Sequence, residues 1–115
     1  MTNQVVLQMA RDLKKASTKS NAPIWAKLAE YALKPSLARR EINLYRIGQI
    51  TKEDDIVVFP GKVLGTGNMP HKISLFAFSI SESAANKIIA SGGNLITYSN
   101  LIEKNPTGKG VVLLG

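Results

Sequence analysis

The sequence predicts an α/β fold with a basic, helical beginning, and three observations point to it. From residue 56 onward the segments alternate as strand, strand, helix, strand, helix, strand, the order of an α/β body. Residues 3–33 instead hold two stretches of helical period,. The charge divides along the same line: residues 1–50 carry nine cationic and three acidic side chains, and residues 51–115 carry six and five. At 115 residues the chain fits a single domain, 1–115,. Within it, 1–50 forms a basic, helix-rich part and 51–115 the α/β body.

Each element has its own warrant. Over 3–19, Val6, Met9, Ala10, Leu13 and Ala16 recur on one helical face, with Arg11, Lys14 and Lys15 roughly opposite,. Thr2 or Asn3 can cap this helix. The polar break 17–22 follows, and Asn21 is expected to cap a second helix over 23–33 with Pro23 in its first turn,. That helix is mostly apolar, so it is expected to be buried. Trp25 suits core packing best, with RNA-adjacent packing as the alternative. Pro35 stops the helix. Residues 36–41 connect, and Ile42, Leu44, Tyr45 and Ile47 suggest a short extended segment.

Lys52-Glu53-Asp54-Asp55 reads as a polar turn, and Ile56-Val57-Val58-Phe59 as a buried strand ended by Pro60-Gly61. A glycine-rich segment, 62–68, leads to an alternating strand over 73–80. Ser81 caps a helix over 82–91, which Gly92-Gly93 ends,. Leu95-Ile96-Thr97 reads as a strand, 98–104 as a short helix, 105–110 as a loop, and Val111-Val112-Leu113-Leu114 as a last buried strand.

Composition excludes several classes of function. With no cysteine there is no disulfide scaffold, thiolate zinc site or cysteine nucleophile,. His71 is the only histidine, and no stretch approaches the ~20 apolar residues of a membrane span. The opening residues lack the layout of a secretory signal, so a cytoplasmic protein is expected. A catalytic triad would have to use His71, which has no carboxylate near it in sequence, so no enzyme is expected.

Gly61-x-x-x-Gly65-x-Gly67 matches neither the phosphate loop of nucleotide hydrolases nor the dinucleotide fingerprint,. It reads as a turn needing positive φ, or as bare backbone that approaches a nucleic acid and donates N–H groups to phosphate. All four arginines precede residue 51. Their planar forks suit phosphates and bases. The charge asymmetry therefore points to a polyanion, against a merely soluble basic surface or an acidic membrane or protein partner. The aromatic residues fall mostly inside apolar runs, so no stacking platform for single strands is expected,.

Two local patterns then resemble a known family. Glu41-Ile42-Asn43-Leu44-Tyr45-Arg46-Ile47, with Pro35 and Arg39 before it, resembles the signature of the archaeal and eukaryotic large-subunit ribosomal protein family eighteen-e. Lys62-Val63-Leu64-Gly65-Thr66-Gly67, continued by Ile73, Leu75, Ile80-Ser81, Ala84, Ile88 and Gly92, resembles the superfamily shared with bacterial large-subunit protein fifteen. Ser36 stands where many members have a basic residue, and no longer basic tail of the eukaryotic branch follows, so the chain looks archaeal.

The resemblance implies an irregular (β-β-α) superhelix preceded by a basic helical region. It implies a structural, ribosome-associated role on large-subunit ribosomal RNA, with neighbouring ribosomal proteins as further partners. No cofactor, membrane or small-molecule substrate is implied. The expected RNA-binding residues are Arg11, Lys14, Lys15, Lys19, Arg39, Arg40, Asn43, Arg46, Lys62, Gly65, Gly67, Lys72 and Lys109. Asn43 is open between an RNA hydrogen bond and a capping role. A free-standing RNA-binding regulator and a phosphate-substrate enzyme are the alternatives.

Overall fold

The computed structural model describes residues 4–34 and 40–114. Thr2, Asn3, Pro35, Ser36 and Arg39, singled out above, lie outside these residues. In chain order the elements are α1 (Gln4–Ser20), α2 (Pro23–Leu33), β1 (Glu41–Asn43), α3 (Leu44–Ile50), β2 (Ile56–Leu64), β3 (Ser74–Ile80), α4 (Glu82–Ala90), β4 (Asn94–Leu95), α5 (Tyr98–Lys104) and β5 (Val111–Leu113). The α/β class expected from the sequence is the one the chain adopts.

The described strands form one parallel sheet in the order β1-β2-β3-β4, with β5 also paired to β2. Parallel neighbours need crossovers. α3 supplies one between β1 and β2 and α4 one between β3 and β4; residues 65–73 link β2 to β3, and α5 lies on the return from β4 to β5 beside β2. β2 is the axis of the sheet. Its one edge pairs with β3 along most of its length. Its other edge is shared, since Ile56–Val58 pair with β5 and Lys62–Leu64 with β1.

Helices cover both faces. Met9, Leu13, Trp25, Leu28 and Leu101, from α1, α2 and α5, pack on one side with Val58 and Phe76. Leu44, Ile47, Ala84 and Ile88, from α3 and α4, pack on the other with Val57, Phe59, Val63 and Leu75. The helical beginning is therefore one layer of a three-layer body. Trp25 is fully buried, as its core reading expects, and its Nε1–H donates to the Pro106 carbonyl at 2.8 Å.

Several local expectations are corrected. Ala22, not Asn21, is the N-cap of α2, and Asn21 adopts the left-handed φ of 51°. The strand expected through Ile47 ends at Asn43. Leu44 and Ile47, three residues apart, are buried together on one helical turn, so the period there is that of a helix,. Pro60-Gly61 does not end β2. The proline sits where the register with β3 shifts between Phe59 and Lys62, so its missing N–H removes no regular ladder bond,. The third strand is only Asn94–Leu95, because Thr97 leaves it to accept a bond from the Asn100 N–H and cap α5. β5 spans Val111–Leu113 and is half-buried. The Ser81 cap stands, with its Oγ accepting from the Ala84 N–H at 3.1 Å, and Gly92 closes the helix at a φ of 91°.

Candidate nucleic-acid interface

Six of the thirteen expected site residues, Arg40, Asn43, Arg46, Lys62, Gly65 and Gly67, gather around β1 and the carboxyl end of β2. Lys62 is in register with Glu41 on β1, and its N–H donates to the Arg40 carbonyl at 2.8 Å. Arg40, just before β1, thus lies beside Lys62 of β2, and both are exposed. Asn43 follows on β1 and takes the N-cap position of α3, yet its side chain makes no capping hydrogen bond. Arg46, in the first turn of α3, is exposed beside Tyr45.

Gly65 and Gly67 lie at the centre of this end, and packing within the chain accounts for both. A Cβ on Gly65 would strike the Ser83 side chain and come within 2.9 Å of the Ala84 nitrogen. Gly67 has a φ of 92°, which L residues avoid, and a Cβ there would stand 2.6 Å from the Tyr45 Cβ,. The turn is wedged between the starts of α3 and α4. Three bonds fix it: the Tyr45 N–H donates to Thr66 O at 3.1 Å, and Lys87 Nζ donates to Gly65 O at 2.6 Å and to Gly67 O at 2.8 Å.

The α1 cations form a second group. Arg11, Lys14, Lys15 and Lys19 are all exposed, on the side of the helix away from Leu13. Asp12, the helix's one acidic residue, is turned to other partners, accepting from Gln8 Nε2 at 2.9 Å and from the Tyr98 hydroxyl at 2.8 Å. Lys15 and Lys19 border a groove of about 500 Å³ between α1 and α5, which Glu103 and Pro106 also line. The loop carrying Lys109 packs near the start of α2, where a Cβ on Gly108 would strike Ile24. Lys72 stands apart, just before β3, and pairs with Asp54 at 3.4 Å.

Two residues of the site were missed in the sequence reading. Lys87, which the sequence does not single out, bonds backbone carbonyls about twenty residues away. Tyr45 was placed in an apolar run, but 61 % of it is exposed. His71, expected as a surface residue, is half-buried. The Thr51 hydroxyl donates to Ile47 O at 2.7 Å, which leaves Thr51 Oγ1 to accept from His71 Nε2 at 2.9 Å. The histidine thus ties its loop to the end of α3.

Among the described residues no group of three or more carboxylate and imidazole side chains is placed to hold a metal ion. The apolar groove of about 460 Å³ beside β3 has Tyr98 as its one titratable lining residue, so no acid–base pair assembles there. No helix of the described residues is long and apolar enough to cross a membrane.

Comparison with known proteins gives the family. Residues 4–115 match the family model described as "Ribosomal protein 60S L18 and 50S L18e". The chain is similar to the large ribosomal subunit protein eL18 of three archaea. It is 42% identical to that of Sulfurisphaera tokodaii over 106 residues, covering 92% of this chain and 90% of the relative. It is 40% identical to that of Pyrobaculum aerophilum over 110 residues, covering 96% and 90%. It is 34% identical to that of Methanothermobacter thermautotrophicus over 113 residues, covering 98% and 93%. With its whole described length inside the family match, the chain belongs to the 60S L18 and 50S L18e family, one of ribosomal proteins and not of enzymes.

Proposed function

We propose that this chain is a structural constituent of the large ribosomal subunit that binds large-subunit rRNA through its basic N-terminal region and the glycine turn after Lys62. In that role it supports rRNA folding and translation, with neighbouring large-subunit proteins as its other partners. The observation that carries the reading is the state of the cations. Among the described lysines and arginines, only Lys34 and Lys72 pair with a carboxylate. Arg11, Lys14, Lys15, Lys19, Arg40, Arg46, Lys62 and Lys109 are exposed and free of such a partner. Cations held this way attract phosphates without first breaking an internal pair, and binding gains from released counterions. Arg39, by its place in the sequence, belongs with Arg40.

The test is the salt dependence of binding to archaeal large-subunit rRNA. Two variants separate the two groups: Arg11, Lys14, Lys15 and Lys19 all changed to Ala, and Arg39, Arg40, Arg46 and Lys62 all changed to Ala. If each residue meets one phosphate, each variant reduces the slope of log K against log salt by about 3. A variant with the parental slope removes its group from the interface. Sedimentation apart from large subunits would favour the free-standing regulator instead.

A further inference from the structure

We propose that Tyr45 and the turn at residues 65–68 form a subsite for one unpaired nucleotide of RNA, with the ring stacking on the base and the turn binding the phosphate. The inference rests on the RNA-binding reading above and adds to it a class of ligand and a residue that charge does not flag. Its first observation is exposure. Tyr45 is the most exposed of the large hydrophobic side chains described, at 61 %, and its hydroxyl has no hydrogen-bond partner there. One exposed aromatic is ordinary by itself; what sets this one apart is what lies against its base.

The turn's polar groups are divided unevenly. The carbonyls of Gly65 and Gly67 accept from Lys87 Nζ, and that of Thr66 accepts from the Tyr45 N–H. The N–H groups of Thr66, Gly67 and Asn68 meet no acceptor among the described residues. A run of free N–H groups around a left-handed glycine is an anion-binding concavity. Here the carbonyls of Gly65, Thr66 and Gly67 are already engaged, while the N–H groups remain to bind an anion. Arg46, next to Tyr45, adds an exposed guanidinium.

The backbone that carries the ring is also fixed to the turn. The Tyr45 N–H bond to Thr66 and the close approach of Gly67 to the Tyr45 Cβ set their spacing before any ligand arrives. A nucleotide offers the matching pair of groups, a flat base and a phosphate one sugar away. Unpaired bases of folded RNA are read by stacking on aromatic rings.

The experiment uses the full chain and archaeal large-subunit rRNA, with Tyr45→Ala and Tyr45→Phe. Tyr45→Ala is expected to weaken binding about tenfold to a hundredfold at an unchanged salt slope, since no phosphate contact is lost. Tyr45→Phe is expected to bind like the parent, because the ring is kept. Zero-length ultraviolet crosslinking of the parent should join Tyr45 to a nucleotide outside any duplex. Parental affinity in Tyr45→Ala overturns the subsite, as does an equal loss in Tyr45→Phe. Normal RNA binding by Tyr45→Ala combined with failed incorporation into subunits would assign the ring to a protein neighbour, and also overturns it. If the parent itself shows no salt-dependent binding, the RNA-binding reading fails, a result distinct from all of these.

Discussion

Tyr98 and Asp12 show how one side-chain contact can join distant parts of the chain. The phenolic O–H donates to Asp12 Oδ2 at 2.8 Å, joining α5 to α1. With Gln8 Nε2 donating to the other oxygen, both oxygens of the one carboxylate of α1 are engaged. The hydrogen bond to Asp12, then desolvation, then the carboxylate's charge raise the Tyr98 pKa above its ordinary 10.0. Above pH 10 the unfolded phenol loses its proton while the folded one keeps it, so stability falls as pH rises. The contribution is whole below that pH and is lost as pH passes the folded value. Tyr98→Phe is expected to cost about 1 kcal/mol near neutral pH. In chemical denaturation against pH, its gap to the parent should close on the alkaline side, and a gap constant to high pH would refute the coupling. None of this was legible in the sequence, where eighty-six positions separate the pair. Trp25 was legible, because an apolar helix announces burial. Lys87 was not, because its partners are backbone atoms that carry no residue signature.

Elements were easier to read in type than in extent. The helices α1 and α2 follow their period, and α4 its Ser81 cap, signals that act over a few residues. The end of β1 and the length of β2 depend on tertiary pairing. Asn43 stays extended because β2 lies beside it, and β2 runs through Pro60 because the register shift absorbs the missing donor. The glycine turn was legible as a turn and as a candidate site. Its internal reason for glycine was not, since that reason is the position of α3 and α4. Gly67→Ala tests it. The left-handed backbone costs an L residue roughly 1–2 kcal/mol, and the new methyl must also displace Tyr45 from 2.6 Å. Denaturant unfolding should show a loss of at least about 1 kcal/mol. The variant should also lose part of its RNA affinity without a change in net charge. Parental stability would mean that the turn tolerates a side chain and that its packing is looser than described.

At the scale of the whole molecule, the division into a basic beginning and a neutral body is one of charge and not of packing. α1 and α2 bury Leu13, Trp25 and Leu28 against Val58, Phe76 and Leu101, which belong to the later part of the chain. Trp25 also bonds to Pro106 across the same boundary. The described molecule is thin, 36 × 31 × 18 Å, so its sheet has little core of its own and depends on helices on both faces. Removing the α1–α2 layer would expose one whole side of β2 and β3. We therefore expect the basic part and the α/β body to unfold as one unit. Trp25 fluorescence reports the helical layer, and far-ultraviolet circular dichroism reports helices on both sides of the sheet. In urea the two signals should fall on one curve with a common midpoint. A fluorescence transition preceding the dichroism change would show instead that α1 and α2 detach first. The body would then stand without them, and the basic helix α1 would belong to a separable arm.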